Sequence, residues 1–305
     1  MVLYAKQVSK GNQMRKLTTE KRAGIIAALV EGNSINSTVR MTGASKITVL
    51  RLLADVGTFC AQYHDLFVRG LKTKRAQLDE LWSFCGCKDK AKLAGSEGFG
   101  SVWTWTAIDS DSKLCISYLV GTRDGTYATE FVKDVADRID TRIQLTTDGY
   151  KPYIEAVDQA FHGEVDYAML VKIYGAERPD AARYSPAVCT GCKKQDLAGT
   201  PDPAHVSTSY VERQNLTVRM SMRRFTRLTN GFSKKIENHE HAIALHYFHY
   251  NFIRKHQTLK TTPAVAAGIA DRALTILDLV KMVEAEEAKL GERLTNYLPA
   301  AKKSK

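Results

Sequence analysis

The sequence has no apolar run long enough to enter a membrane. Its hydrophobic stretches are broken by polar residues well short of the roughly 20 needed to cross a bilayer, and MVLYAKQVSKGNQMRK at the start lacks the apolar core of a secretory leader. A cytoplasmic protein is expected. Cysteine is sparse, six in 305 residues at positions 60, 85, 87, 115, 189 and 192. That is too few and too irregular for a disulfide framework, so reduced thiols are expected. No internal repeat is present. Acidic residues are outnumbered 33 to 44 by Lys and Arg, a net charge of +11. At 44% apolar and 25% charged, the composition is that of a globular chain.

The basic excess is concentrated in two blocks. Residues 1–75 hold 13 Lys and Arg against four Asp and Glu, and residues 207–235 hold seven against Glu212 alone, leaving the remainder net negative. Two separated positive blocks point to a polyanionic partner.

Residues 17–56 read as three short helices, with Thr18 as an N-cap and Thr42-Gly43-Ala44 as the turn before the third. Ile25, Ile26, Leu29, Val39, Val49, Leu52 and Leu53 fall at spacings that close a small core. This resembles a helix-turn-helix whose third helix offers Lys46, Thr48 and Arg51 to a major groove. A purely structural or dimerising helical unit is the alternative. From about residue 75 the pattern changes to strands: AQLDELWSFCGC, GSVWTWTAID and KLCISYLVGT are rich in aromatic and β-branched residues. A helix near 128–138, the strand RIQLTTDG, the helix KPYIEAVDQAF and the strand VDYAMLVKIY follow. Residues 175–206 read as one long loop, and two further helices precede a last helix near 272–290.

This order predicts a ribonuclease H-like α/β domain over residues 71–270: a mixed five-stranded sheet flanked by helices. An all-α helix-turn-helix domain at 1–70 precedes it, and a C-terminal helix with a basic tail at 271–305 follows.

Three acids stand at element boundaries: Asp79 in the first strand, Asp148 at the end of the fourth and Glu212 on the helix after the long loop. Phosphodiester chemistry needs such a set, because a pair of hard divalent ions, Mg2+ or Mn2+, takes oxygen ligands. Each has a plainer reading. Asp148 before Gly149 can end its strand in a turn, and Glu212 can pair with Arg213 or Arg219. Helical spacing puts Glu212, Asn215 and Arg219 on one face, which places a cation beside the acid. Alternation along the first strand lets only one of Asp79 and Glu80 point into a site. Cys85, Cys87, Cys189 and Cys192 are a candidate zinc set, with buried thiols as the alternative. The histidines at 239, 241, 246 and 249 read as packing.

LDELW (78–82), TDGY (147–150) and STSYVERQNLTVRMSMRRFTRLTNGFSKK (207–235) resemble the insertion-sequence-one family of bacterial transposases, a likeness running from about 70 to 270. It implies that Asp79, Asp148 and Glu212 are metal ligands and that Arg219 follows the acid. Cleavage of double-stranded DNA at element ends and strand transfer into a target are the implied chemistry, with a homo-oligomer on DNA in a bacterial nucleoid. Arg219, Arg223 and Arg224 are the expected backbone contacts. YNFIRKHQTLKTTPA resembles the closing segment of related transposases, where Asn251 and His256 would tie elements together. The family's compact members begin with a cysteine-rich zinc module, whereas the first cysteine here is Cys60. A nuclease or resolvase of the same fold, and a DNA-binding regulator with vestigial acids, are the rival functions.

Overall fold

The computed structural model describes residues 17–91, 99–175, 189–226 and 229–295. The chain opens with α1 (Thr19–Val30), α2 (Ile35–Thr42) and α3 (Lys46–Phe67). Each starts on a hydroxyl: Thr18, Ser34 and Ser45 accept from the amides of Lys21, Ser37 and Thr48 at 3.3, 3.0 and 3.1 Å. Gly43 ends α2 in the left-handed region, φ 67°.

The sheet follows: β1 (Arg75–Cys85), β2 (Gly100–Asp109), β3 (Cys115–Gly121), β4 (Ile143–Asp148), β5 (Val165–Tyr174) and β6 (Cys189–Ala198), in the order β3-β2-β1-β4-β5-β6. β1, β2 and β3 are antiparallel, β1, β4 and β5 are parallel, and β6 closes the edge antiparallel to β5. Strands β1 to β5 make the expected ribonuclease H-like arrangement; the sheet has six strands rather than five. The sixth comes from residues expected as loop. CTGCKKQDLA carries no hydrophobic alternation because β6 is an edge strand exposed on most of its length, held by backbone pairing to β5. Residues 176–188 of that expected loop, and the basic tail, lie outside the described residues.

Helices α4 (Gly125–Ala136) and α5 (Pro152–Phe161) cover one face, α6 (Ser209–Ser221) and α7 (Ile236–Phe248) the other. β1 shows why. Ala76 and Leu78 join the cluster with Phe131, Tyr153 and Val157, while Leu81 joins Val211, Val218 and Ile243, the two faces of an alternating strand. The short α8 (Pro263–Ala266) leads to α9 (Ile276–Leu290), pinned to α1 by Arg22, whose guanidinium donates to buried Glu287 at 2.5 Å. Asn251 holds both backbone groups of Cys115, at 2.9 Å each, so it ties the end of α7 to β3. Among the described residues no helix is long and apolar enough to cross a membrane.

Packing does not break at residue 70. Ile25, Val49, Leu52 and Leu53 belong to the same buried cluster as Leu78, Trp105 and Phe248. α3 also runs ten residues past Gly57, where the sequence suggested its end. The glycine serves contact instead: a Cβ there would meet His241 Cβ at 2.5 Å and its carbonyl oxygen at 2.7 Å, so α3 and α7 lie backbone to backbone. Gly57→Ala is therefore expected to destabilise the protein by about 1–3 kcal/mol, the cost of overpacking. Gly24→Ala on α1, with nothing within 4 Å of the added atom, should gain about 0.5–1 kcal/mol. Urea denaturation measures both, and equal stability of Gly57→Ala and wild type would remove this account of α3.

A carboxylate cleft at the strand ends

β1 and β4 are parallel neighbours whose pairing ends at Leu78 with Thr147. The next residues on the two strands are Asp79 and Asp148. Parallel strands put successive residues side by side, so the register alone brings two acids together at the carboxyl edge of the sheet. Asp148 also makes the turn expected of it, accepting from the Tyr150 amide at 3.0 Å through Oδ1, while Oδ2 lies 3.8 Å from the Arg123 guanidinium. Glu212 enters from the first turn of α6, where its backbone amide donates to the Thr208 carbonyl at 3.0 Å and its carboxylate accepts from the Thr208 hydroxyl. All three acids line one cleft of about 690 Å³ with Arg123, Tyr150 and Lys172.

Alternation places Asp79 towards α6 and Glu80 towards α4 and α5, as expected. Asn215, one turn along α6 from Glu212, donates to Asp79 Oδ2 at 2.8 Å, and Gln77 on the same strand face accepts from the amides of Tyr210 and Val211. Of the two, Asp79 lines the cleft and Glu80 is not among its lining residues, but the Glu80 carboxylate still comes close to the other acids. One carboxylate oxygen each from Asp79, Glu80 and Asp148 lie within 4.8 Å of one another, a grouping that fits a cation. β1 outlasts β4 at this point, so Glu80 has a strand neighbour on the β2 side, at Trp105, and none on the β4 side. Its Oε2 accepts from Arg123 at 3.3 Å, and the Tyr153 hydroxyl acts on the same carboxylate, lowering its pKa against the effect of burial.

Crowding shifts the acids. Burial, then the charges of Asp148 and Glu80, push Asp79 up to about 7; burial and Asp148 push Glu80 to about 7; burial raises Asp148. Two cations answer them. Arg123 lies over the Tyr150 ring at 3.8 Å, and Lys172 on β5 pairs with Glu212 at 2.5 Å. The cation paired with Glu212 is thus Lys172, not Arg219. Seven residues of helix advance about 10.5 Å, and Arg219 is not among the residues lining the cleft. Arg123 and Lys172 had no sequence signal, since each is an isolated base on an element the acids do not share.

The remaining expected residues lie elsewhere. Lys46, Arg223 and Arg224 meet at a second cleft some way along α6; Thr48 is half-buried and Arg51 is half-buried. Among the described residues no cysteine joins a group of three or more possible metal ligands. Cys85 ends β1, while Cys189 and Cys192 sit on β6, three strands away. His239 and His246 are buried, and burial holds both near 3, which keeps them neutral in the packing role expected of them.

The fold and site define a ribonuclease H-like protein with an acidic cleft at its strand ends. No family model matches the chain, and no curated protein matches it. Among solved structures it is similar to a piggyBac transposase synaptic complex with hairpin DNA seen by cryo-EM. Identity there is 13% and the TM-score 0.40, over 96% of this chain and 77% of that one. It is also similar to the Mos1 strand transfer complex (11%, TM-score 0.23, 78% and 80% covered). A pre-cleavage Mos1 transpososome is a further likeness (12%, TM-score 0.21, 79% and 81% covered).

The raised acids carry a sign. Their folded values lie above those of an unfolded chain, so the native state holds protons that the unfolded state has released between about pH 4 and 7. Stability without divalent metal must then fall as pH rises through that range and level off above about 7. Added Mn2+ should restore it most above pH 7, where no proton need be displaced. Thermal unfolding in EDTA and in Mn2+ reads this out. Asp79→Asn and Asp148→Asn should abolish the metal effect and Glu80→Gln should keep it; the reverse pattern would make Glu80 the ligand.

Proposed function

We propose that the protein is a DNA transposase of the insertion-sequence-one type, which cleaves DNA at element ends and joins them to a target. One observation carries the reading: Asp79, Asp148 and Glu212, from β1, β4 and α6, line a single cleft. The three sequence blocks that resemble that family are the three that supply these acids.

Asp79, Asp148 and Glu212 are the residues that would hold two Mg2+ or Mn2+ ions. The donors fit at Asp79 and Asp148, hard oxygens crowded enough that burial raises both, while Glu212 faces the same cleft from α6, outside the group of close oxygens. When bound, such ions activate an attacking oxygen and stabilise the leaving one. Asn215 fixes the Asp79 carboxylate by donating to Oδ2, leaving Oδ1 for the site. Glu80 is a positioning residue that anchors Arg123, and the stacked Tyr150 ring fixes the guanidinium plane at the cleft mouth. Arg123 and Lys172 would move from carboxylates to a DNA phosphate once divalent ions take over the acids, because both cations line the same cleft. The helix-turn-helix would read the ends, and a homo-oligomer would bring two ends together.

Strand transfer with candidate end DNA and Mg2+ tests this. Asp79→Asn, Asp148→Asn and Glu212→Gln should each lose at least about a hundredfold in activity while still binding DNA. Full activity in any one removes that residue from the site. Cleavage without joining of pre-cleaved ends would make the protein a nuclease or resolvase, and unaltered function after Asp148→Asn would make it a regulator.

A further inference from the structure

Where β6 begins, it carries one residue more than the β5 residues it pairs with. Lys172 faces Cys192, Ile173 faces Gly191 and Tyr174 faces Cys189, which leaves Thr190 as a β-bulge. The Thr190 hydroxyl holds the bulge by donating to the Ile173 carbonyl at 3.2 Å. Residues three apart on a regular strand point to opposite faces. The extra residue cancels that. Cys189 and Cys192 each stand abreast of a β5 residue, Tyr174 and Lys172, and both of those line the carboxylate cleft. Directly opposed residues share a face, so both thiols lie on the cleft side of the sheet. Their sulfurs are 4.0 Å apart.

Packing does not account for the pair. Cys60, Cys85 and Cys115 are buried, the ordinary place for a thiol that only fills space, whereas Cys189 and Cys192 are both exposed. Metal binding does not account for it either. Neither thiol joins a group of three possible ligands among the described residues, and a structural zinc site takes four. What two sulfurs so placed can do is bond to each other. A disulfide needs them about 2.05 Å apart, which asks about 1 Å of each sulfur, a partial rotation about each Cα–Cβ bond. The ring so closed spans only Cys189 to Cys192. A short loop gains little from chain entropy, and an exposed disulfide is readily reduced, so the bond is of the reversible kind.

We propose that Cys189 and Cys192 form a reversible dithiol–disulfide site on the cleft face of β6, with a small soluble disulfide such as oxidised glutathione as its reaction partner. One thiolate of the pair attacks a sulfur of oxidised glutathione, whose S–S bond breaks and releases a glutathione thiolate. The second thiol gives its proton to solvent and attacks the protein sulfur of the mixed disulfide, releasing a second glutathione thiolate. Two protein thiols are oxidised to one disulfide, one glutathione disulfide is reduced to two thiols, and the two protons end on glutathione. Reduced glutathione in excess runs the same steps backwards.

The thiols themselves report the outcome, so the test is separate from strand transfer. The full chain is equilibrated without oxygen in mixtures of reduced and oxidised glutathione, quenched in acid and alkylated, and its peptides are mapped by mass. Cys189 and Cys192 should lose their reactivity together, with no glutathione retained, and dithiothreitol should restore both. The equilibrium constant should exceed that of the isolated peptide Cys-Thr-Gly-Cys by at least about tenfold, because the bulge holds the sulfurs close in advance. Cys189→Ser should instead carry one glutathione on Cys192, and Cys192→Ser one on Cys189. Both thiols still alkylated in every mixture, two glutathiones on the wild-type peptide, or an equilibrium constant no greater than that of the peptide would overturn the proposal. So would Zn2+ retained by the reduced chain and lost from the double serine variant, which would make the pair part of a metal site.

Discussion

Everything at the carboxyl edge of the sheet follows from gathering acids in a space that burial makes hostile to charge. Asp79, Glu80 and Asp148 meet because two parallel strands end in register, and Glu212 is added by a helix that starts beside them. An isolated buried carboxylate is costly, and Asp79, Glu80 and Asp148 near one another cost more. The fold tolerates the arrangement by three means. Two acids hold protons near neutrality, Arg123 and Lys172 supply positive charge, and Asn215 and Thr208 donate to carboxylate oxygens. None of these improves packing. Such a cluster would become favourable on binding a cation, the ligand that the proposed function supplies.

The rest of the structure holds that edge still. Gln77 accepts two amides from the start of α6, which fixes the helix to β1 two residues before Asp79. At the other end of α6, Gly32 brings the α1–α2 turn against the helix terminus, where a Cβ would lie 3.3 Å from the Ser221 carbonyl oxygen. Gly57 sets α3 directly on α7. The N-terminal helices are therefore fastened to the end of α6, which carries Glu212, and to α7, with which they share one hydrophobic cluster.

The sequence made the central strands legible because their periodicity and aromatic content are strong, and it made Asp148 and Glu212 legible because each stands at an element boundary beside a recognisable block. Other features left no trace in the pattern. β6 is polar and exposed, so its strand character comes from the β5 edge rather than from its own residues. Gly57 looked like a helix end because glycine usually weakens a helix, and only the nearness of His241 explains its place inside α3. The alternation of Asp79 and Glu80 was read correctly as strand geometry. What it did not show is that the Glu80 carboxylate, though outside the cleft lining, still comes within 4.8 Å of Asp79 and Asp148. Arg123 and Lys172 were out of reach altogether, since their role depends on three-dimensional proximity to paired acids 25 to 43 residues away.

Helix α6 is the element through which these arguments meet. Glu212 lies in its first turn, near the positive end of the helix dipole, while Arg219 lies in its last turn and Arg223 and Arg224 just beyond, near the negative end. The charge order suits the helix itself and also divides its surroundings, with a cation-seeking cleft at one end and an anion-seeking cleft at the other. A rigid rod of 13 residues fixes the spacing between them.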